Sequence, residues 1–134
     1  LGGRGDDAPR VAEPGEIVMD ASHGAGEFYD YETKYLAHDA VQMVCPARLA
    51  AAERELVMST AAEAFIAIGA EGLTRVDFFV TDDGRAVVNE VNTMPGFTPF
   101  SMYPYMWKTS GLDYPDLVGE LIELALERPA DVNR

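Results

Sequence analysis

The period of apolar and polar positions changes several times along the chain, and each change marks an element. Glu16-Ile-Val-Met-Asp predicts a short strand over 16–20, and the apolar run from Val41 to Cys45 predicts a second, stopped by Pro46. Over 47–68, Leu49, Ala52, Leu56, Ala61, Ala64, Phe65 and Ile68 recur at roughly the helical period, and Gly69 follows as a stop. Residues 73–81 are rich in β-branched and aromatic side chains and predict a strand. Asp82-Asp83-Gly84 is a hairpin signal, and 85–92 is the returning strand. A Pro/Gly loop over 93–99 leads into helices over 101–110 and 115–128. The last helix sets Leu117, Val118, Leu121, Ile122, Leu124 and Ala125 along one broad face, and Asp113-Tyr114-Pro115 suits a cap followed by proline in the first turn. Strands, helix, hairpin and helices in that order predict an α+β fold with an antiparallel sheet.

Residues 1–15, rich in Gly, Asp, Pro and Arg, read as a flexible connection, and 16–134 as one domain. The chain opens Leu1-Gly2-Gly3 without an initiator Met and is expected to begin inside a longer protein. At 134 residues and 48% hydrophobic it can bury one core, and no apolar run approaches the ~20 residues of a membrane helix. The formal net charge of -13 argues against a nucleic-acid surface and is read as solubility through self-repulsion. Cys45 is the single cysteine, so no internal disulfide can form and a reducing compartment fits. Its apolar setting predicts a small buried hydrophobe rather than a nucleophile. His23 and His38 lack ligand spacing, and Met106 and Trp107 read as packing residues of their helix.

The chemistry concentrates in Arg75-Val-Asp77-Phe-Phe and Val87-Val-Asn89-Glu90-Val-Asn92. A two-residue Asp83-Gly84 turn pairs Asp82 with Arg85, and a four-residue turn from Asp82 to Arg85 gives the same register; counting back sets Asp77 opposite Glu90 and Arg75 opposite Asn92. Opposed residues share a face, so all four project from one side. The other face is expected to carry Val76, Phe78, Val80, Val87 and Val91, with Asn89 as an exception, and to pack on the core. Two opposed carboxylates repel unless a counterion lies between them. Arg75 neutralises part of that charge, and a divalent cation can neutralise the rest. Oxygen donors without His or Cys suit a hard cation such as Mg²⁺, which takes one or two carboxylates and completes its shell with water and substrate phosphates. The simpler alternative is a surface hairpin with an ordinary Arg–carboxylate network.

Arg75-Val-Asp77-Phe78-Phe79 followed by Asn89-Glu90-Val91-Asn92-Thr93-Met94-Pro95-Gly96-Phe97-Thr98 resembles the metal and oxyanion signature of D-alanine–D-alanine ligases. Tyr29-Asp30-Tyr31-Glu32-Thr33-Lys34-Tyr35 resembles their mobile loop, and Ser101-Met102-Tyr103-Pro104 their Ser-[Met/Leu]-x-Pro segment. The resemblance implies the C-terminal subdomain of an ATP-grasp enzyme, with a mobile loop at about 21–36. It further implies a reaction in which ATP phosphorylates the carboxylate of one D-alanine and the amine of a second attacks the acyl phosphate. Asp77, Glu90 and Asn92 are implied to hold two Mg²⁺ (or Mn²⁺) ions with ATP. Arg75 and the Gly96 N–H would stabilise the oxyanion, a backbone approach that glycine permits. Lys34 and Phe79 would contact ATP, Tyr35 would orient substrate, and Ser101 with Met102 would meet the carboxylate of the second D-alanine. Ser101 also reads as a helix N-cap, which agrees with an anion in front of the helix. Tyr29 and Tyr31 read as aromatics that pin the loop. Lys34-Tyr35 leans towards a dipeptide rather than a D-alanine–D-lactate product.

The family's N-terminal and central domains, with the glycine-rich phosphate loop, further lysines and the adenine-binding linker, have no counterpart in these 134 residues. The chain alone is therefore expected to be inactive. The resemblance implies a cytoplasmic homodimer for the full-length enzyme, with ATP and D-alanine as ligands and no membrane or nucleic-acid partner. Two other readings share the hairpin: another ATP-grasp carboxylate–amine or D-alanine–D-lactate ligase, and a non-catalytic nucleotide-binding or assembly domain.

Overall fold

The computed structural model describes residues 1–3, 5, 8–19 and 41–128. The elements run β1 (Glu16–Met19), β2 (Val41–Val44), α1 (Ala51–Ala67), β3 (Arg75–Val80), β4 (Ala86–Asn92), α2 (Met102–Thr109) and α3 (Tyr114–Leu126). β1 and β2 pair antiparallel, with Glu16 opposite Val44 and Met19 opposite Val41. β3 and β4 form a second antiparallel pair. The α+β class with antiparallel sheets is as the sequence implies. Among the described residues no helix is long and apolar enough to cross a membrane.

α1 starts four residues later than its periodicity suggests, because the preceding segment is tied elsewhere. The Ala47 N–H donates to the Pro14 carbonyl at 2.7 Å. The Arg48 backbone N–H and guanidinium both donate to the Glu16 carboxylate. The helix then opens at Ala50, whose N–H donates to the Glu53 carboxylate at 2.9 Å; alanine has no side chain to return the bond. At the other end Gly69 takes φ +63°, the left-handed conformation that ends a helix. Its N–H and that of Ala70 bond the Ile66 and Phe65 carbonyls. The helix buries Val57 and Phe65 and leaves Leu56 and Ile68 at 41% and 50% exposed, so its inward face is rotated from the expected stripe. It packs against both strands of the β3–β4 hairpin.

The core cluster forms around α2 and α3. Leu1, Tyr103, Trp107 and Leu117 are buried together, with Ala12, Leu73, Phe97, Met106, Leu112, Leu121 and Leu124 against them. Met106 and Trp107 thus serve packing, as expected. The segment read as a flexible connection contributes to this core through Leu1 and Ala12. It is further attached by the paired Gly2 and Gly72 backbones, with N–H···O distances of 3.1 and 2.8 Å. The Arg10 guanidinium lies 5.9 Å above the Trp107 ring and pairs with Glu120. Arg54 pairs with Glu13, which joins this segment to α1. These attachments exist because the segment carries apolar and charged side chains between its glycines. On α3, Leu117 is fully buried, whereas Ile122 and Leu126 are 55% and 74% exposed, so the buried face is narrower than the expected stripe.

Candidate active site on the carboxylate hairpin

The hairpin places Arg75 opposite Asn92, Val76 opposite Val91 and Asp77 opposite Glu90, as counted from the sequence. It reaches this pairing by a different route. The turn is one residue longer than the two-residue Asp83-Gly84 turn: Thr81 and Arg85 close it through Thr81 N–H to Arg85 O at 2.9 Å, with Gly84 at φ +80°. From there Val80 pairs with Ala86, Phe79 with Val87 and Phe78 with Val88. A register shift between Asp77 and Phe78 then leaves Asn89 as the extra residue of a β-bulge. The longer turn and the bulge cancel, so the pairing at the site survives. They do not cancel between the two. Val87, expected on the core face, shares the face of Asp77 because it sits opposite Phe79, and Val88 takes its place behind. Phe79 and Val87 are 59% and 45% exposed, giving the carboxylate face an apolar shoulder towards the turn.

Arg75 grips Asp77 two residues on. Its Nε and Nη2 donate to the two carboxylate oxygens at 2.7 and 2.9 Å, a bidentate pair that fixes both planes. Arg75 and Asp77 side chains are only 20% and 30% exposed, so this pair is partly shielded from solvent. Each carboxylate oxygen keeps a second lone pair for another ligand. The Asn92 Oδ1 accepts the Met94 N–H at 2.9 Å, a local turn that leads the chain out of β4. Among the described residues no group of three or more His, Cys, Asp or Glu could hold a metal ion. The hairpin offers two carboxylates and one amide oxygen, a donor set of hard oxygens that fits a cation completing its shell with water and phosphate.

The loop after β4 brings the next pair together. Pro95 is buried and Gly96 exposed. A Cβ at Gly96 would lie 3.3 Å from Ser101 Oγ, so the two expected site residues are close neighbours. Ser101 occupies the N-cap position of α2, as expected, but its hydroxyl makes no capping bond. It turns back instead, accepting the Thr98 N–H at 3.1 Å and bonding Thr98 Oγ1 at 2.9 Å. Met102, the first residue of α2, lies against Gly15: a Cβ there would stand 2.5 Å from the Met102 sulfur. Aromatic rings back the loop, with Phe97 centred 5.4 Å from Tyr114 and 6.1 Å from Tyr103.

Of the expected site residues, Arg75, Asp77, Phe79, Glu90 and Asn92 come together on the hairpin, and Gly96, Ser101 and Met102 on the adjoining loop and helix. Lys34 and Tyr35, with Tyr29, Tyr31, His23, His38 and the loop over 21–36, lie outside the described residues. Thr98 and Tyr114 contact the loop without having been singled out. Thr98 stands in the quoted motif, but Tyr114 lies 16 residues beyond Thr98 in sequence, where only tertiary structure brings it near. Cys45 is half-buried; burial pushes its thiol up, and its Sγ lies 3.6 Å from the Pro14 carbonyl, in keeping with a packing role.

A helix-backed hairpin with opposed carboxylates, leading through a Pro-Gly loop into a helix N-terminus, defines the class as a C-terminal subdomain of the ATP-grasp fold. The chain belongs to the D-alanine–D-alanine ligase family: residues 2–123 match the family described as D-ala D-ala ligase C-terminus. D-alanine–D-alanine ligases of Pseudarthrobacter chlorophenolicus and Bacillus cytotoxicus are 56% and 48% identical to it, each over 96% of this chain and 33% and 34% of their own length. The chain thus spans about a third of the length of the curated relatives it matches. The Coxiella burnetii D-alanine–D-alanine ligase structure superimposes with a TM-score of 0.73 at 37% identity, covering 94% of this chain and 30% of that one. The VanG D-Ala:D-Ser ligase of Enterococcus faecalis gives 0.73 at 35%, covering 91% and 33%. The Bacillus anthracis D-alanine–D-alanine ligase complexed with ATP gives 0.67 at 30%, covering 86% and 35%.

Proposed function

We propose that this chain is the metal- and oxyanion-handling part of an ATP-dependent ligase that joins two D-alanines for peptidoglycan synthesis. The observation that carries the reading is the hairpin register, Asp77 opposite Glu90 and Arg75 opposite Asn92, within a chain of this family. Asp77, Glu90 and Asn92 would hold Mg²⁺ or Mn²⁺, two ions with ATP. When bound, such ions neutralise charge on the transferring phosphoryl group. Arg75, already oriented by Asp77, presents its guanidinium beside the carboxylates, where it can stabilise a developing oxyanion together with the N–H of Gly96, an exposed residue. Ser101, one close contact from Gly96, is suited to the carboxylate of the second amino acid, with Met102 beside it. Phe79 offers an exposed ring on the same hairpin face for the nucleotide. Lys34 and Tyr35 complete the proposal as phosphate and substrate contacts from the loop over 21–36. The 1–15 segment joins this subdomain to the rest of the enzyme, which works as a cytoplasmic homodimer.

The reading is tested by D-alanine-dependent ADP release from the full-length protein. Wild type should turn over, and Asp77→Asn should slow it on the order of 100-fold or more, as loss of a transition-state charge contact does. Absence of D-alanine-dependent release in wild type, or full activity in Asp77→Asn, would overturn it. Because a D-Ala:D-Ser ligase is among the structural neighbours, the same assay should offer D-serine and D-lactate as acceptors. Preference for either over D-alanine would revise the acceptor and leave the hairpin chemistry in place.

A further inference from the structure

The peptide between Phe97 and Thr98 is held at both ends. Its carbonyl accepts the Tyr114 hydroxyl at 2.7 Å, and its N–H donates to Ser101 Oγ at 3.1 Å. Gly96 lies immediately before this peptide and Ser101 closes the turn after it, with the Ser101 N–H donating to the Thr98 carbonyl at 3.0 Å. On the outer side of the loop Met94 and Phe100 are 87% and 85% exposed, with the Met94 N–H held by the Asn92 side chain. The Tyr114 hydroxyl, by contrast, comes from a rigid source. Tyr114 is the first residue of α3, and Leu117, in the same turn, is fully buried in the core. Its ring lies 5.4 Å from that of Phe97, so ring packing and hydrogen bond act on the same residue.

We propose that Tyr114 is a positioning residue: through the Phe97 carbonyl it fixes the loop that presents the Gly96 N–H and the Ser101 hydroxyl to the acceptor amino acid. This role rests on the ligase reading above. A serine hydroxyl has one proton and two acceptor sites. The Thr98 N–H fills one acceptor site, and the bond between the two hydroxyls can run either way; when the Thr98 hydroxyl donates into the second site, the Ser101 proton is left for an anion before the α2 N-terminus. That arrangement requires Thr98 to stay in place, and Tyr114 holds the peptide of which the Thr98 N–H is part. Tyr114 touches no reacting atom.

The test is Tyr114→Phe in the full-length protein, which keeps the ring and removes the bond. The KM for the acceptor D-alanine should rise about 3- to 10-fold, the range one neutral hydrogen bond covers, while the KM for ATP stays within about twofold. Amide hydrogen exchange at Thr98 should accelerate over a similar range while exchange in α3 is unchanged. An unchanged Thr98 exchange rate overturns the proposal, as does faster exchange with an unchanged acceptor KM. A fall in every kinetic parameter in step with loss of folded protein also overturns it, since that marks a merely structural role. If wild type shows no D-alanine-dependent ADP release, the ligase reading fails on that ground. The exchange rate at Thr98 then decides by itself whether Tyr114 positions the loop.

Discussion

Tyr103 is the sharpest test of how this core is held. The side chain is 3% exposed, its ring lies 6.1 Å from that of Phe97 and 6.4 Å from that of Trp107, and its hydroxyl is buried with no partner at good hydrogen-bond geometry and the Trp107 side chain as its nearest polar neighbour. A buried unpaired hydroxyl costs about 1–3 kcal/mol relative to one left in water. Tyr103→Phe removes that cost and keeps the ring contacts, at the expense of a void smaller than a methyl group. The variant should be more stable than wild type by about 0.5–1.5 kcal/mol near neutral pH, read as the shift in the urea midpoint at constant slope. Burial also pushes the phenol up to about 12 from an ordinary 10, opposed in part by its neighbour Trp107 and by Arg10. The sign follows from proton counting. Between pH 10 and 12 the folded chain keeps the proton and the unfolded chain has lost it. Stability is therefore fully present below about 10 and lost as pH rises through about 12, by roughly 3 kcal/mol in all. Tyr103→Phe should escape this loss, so the two stability curves should diverge further across that window. Destabilisation of the variant by more than about 1 kcal/mol near neutral pH would show that the hydroxyl has a partner after all. Parallel curves from pH 10 to 12 would refute the burial argument.

Two further predictions follow from the same packing and surface. Leu117→Ala, at the fully buried position of α3, should cost about 2–5 kcal/mol, whereas Leu126→Ala at 74% exposure should stay within about 0.5 kcal/mol; similar urea midpoints for the two would contradict the placement of the core. Arg54 holds Glu13, and Arg48 holds Glu16, below the usual carboxylate value. With the folded value depressed, their contribution is present above the unfolded value and lost as pH falls through the folded one. Glu13→Gln with Glu16→Gln should therefore flatten the acid limb of the stability curve, and an unaltered limb in acid titration followed by circular dichroism would count against both pairs.

The hairpin illustrates what local pattern can and cannot specify. Asp77 opposite Glu90 was legible because the turn residues Asp82-Asp83-Gly84 lie between two β-rich runs, and counting from any turn near them lands close to this pairing. The bulge at Asn89 was not legible. A bulge depends on how β4 bends against its surroundings, and the residue that forms it carries no unambiguous mark. The correct pairing at the site therefore came from two offsetting differences, and Val87 between them fell on the other face. Gly69 is legible as a helix stop because a left-handed residue after a helix is a local requirement that glycine meets best.

The sequence by itself determined the element order, the α+β class, the hairpin carboxylates and, through its motifs, the family. These are properties of short segments, where periodicity, turn chemistry and residue type act over a few positions. Tertiary structure alone decided which faces are buried. It kept Phe65 of the expected α1 stripe inward but added Val57 and left Leu56 out, brought Leu1 and Ala12 into a core with Trp107 and Leu117, and turned the Ser101 hydroxyl back onto Thr98 rather than onto its own helix. It also set the Tyr114 hydroxyl on the Phe97 carbonyl. Contacts between distant segments depend on how whole elements dock, and no local period records that docking.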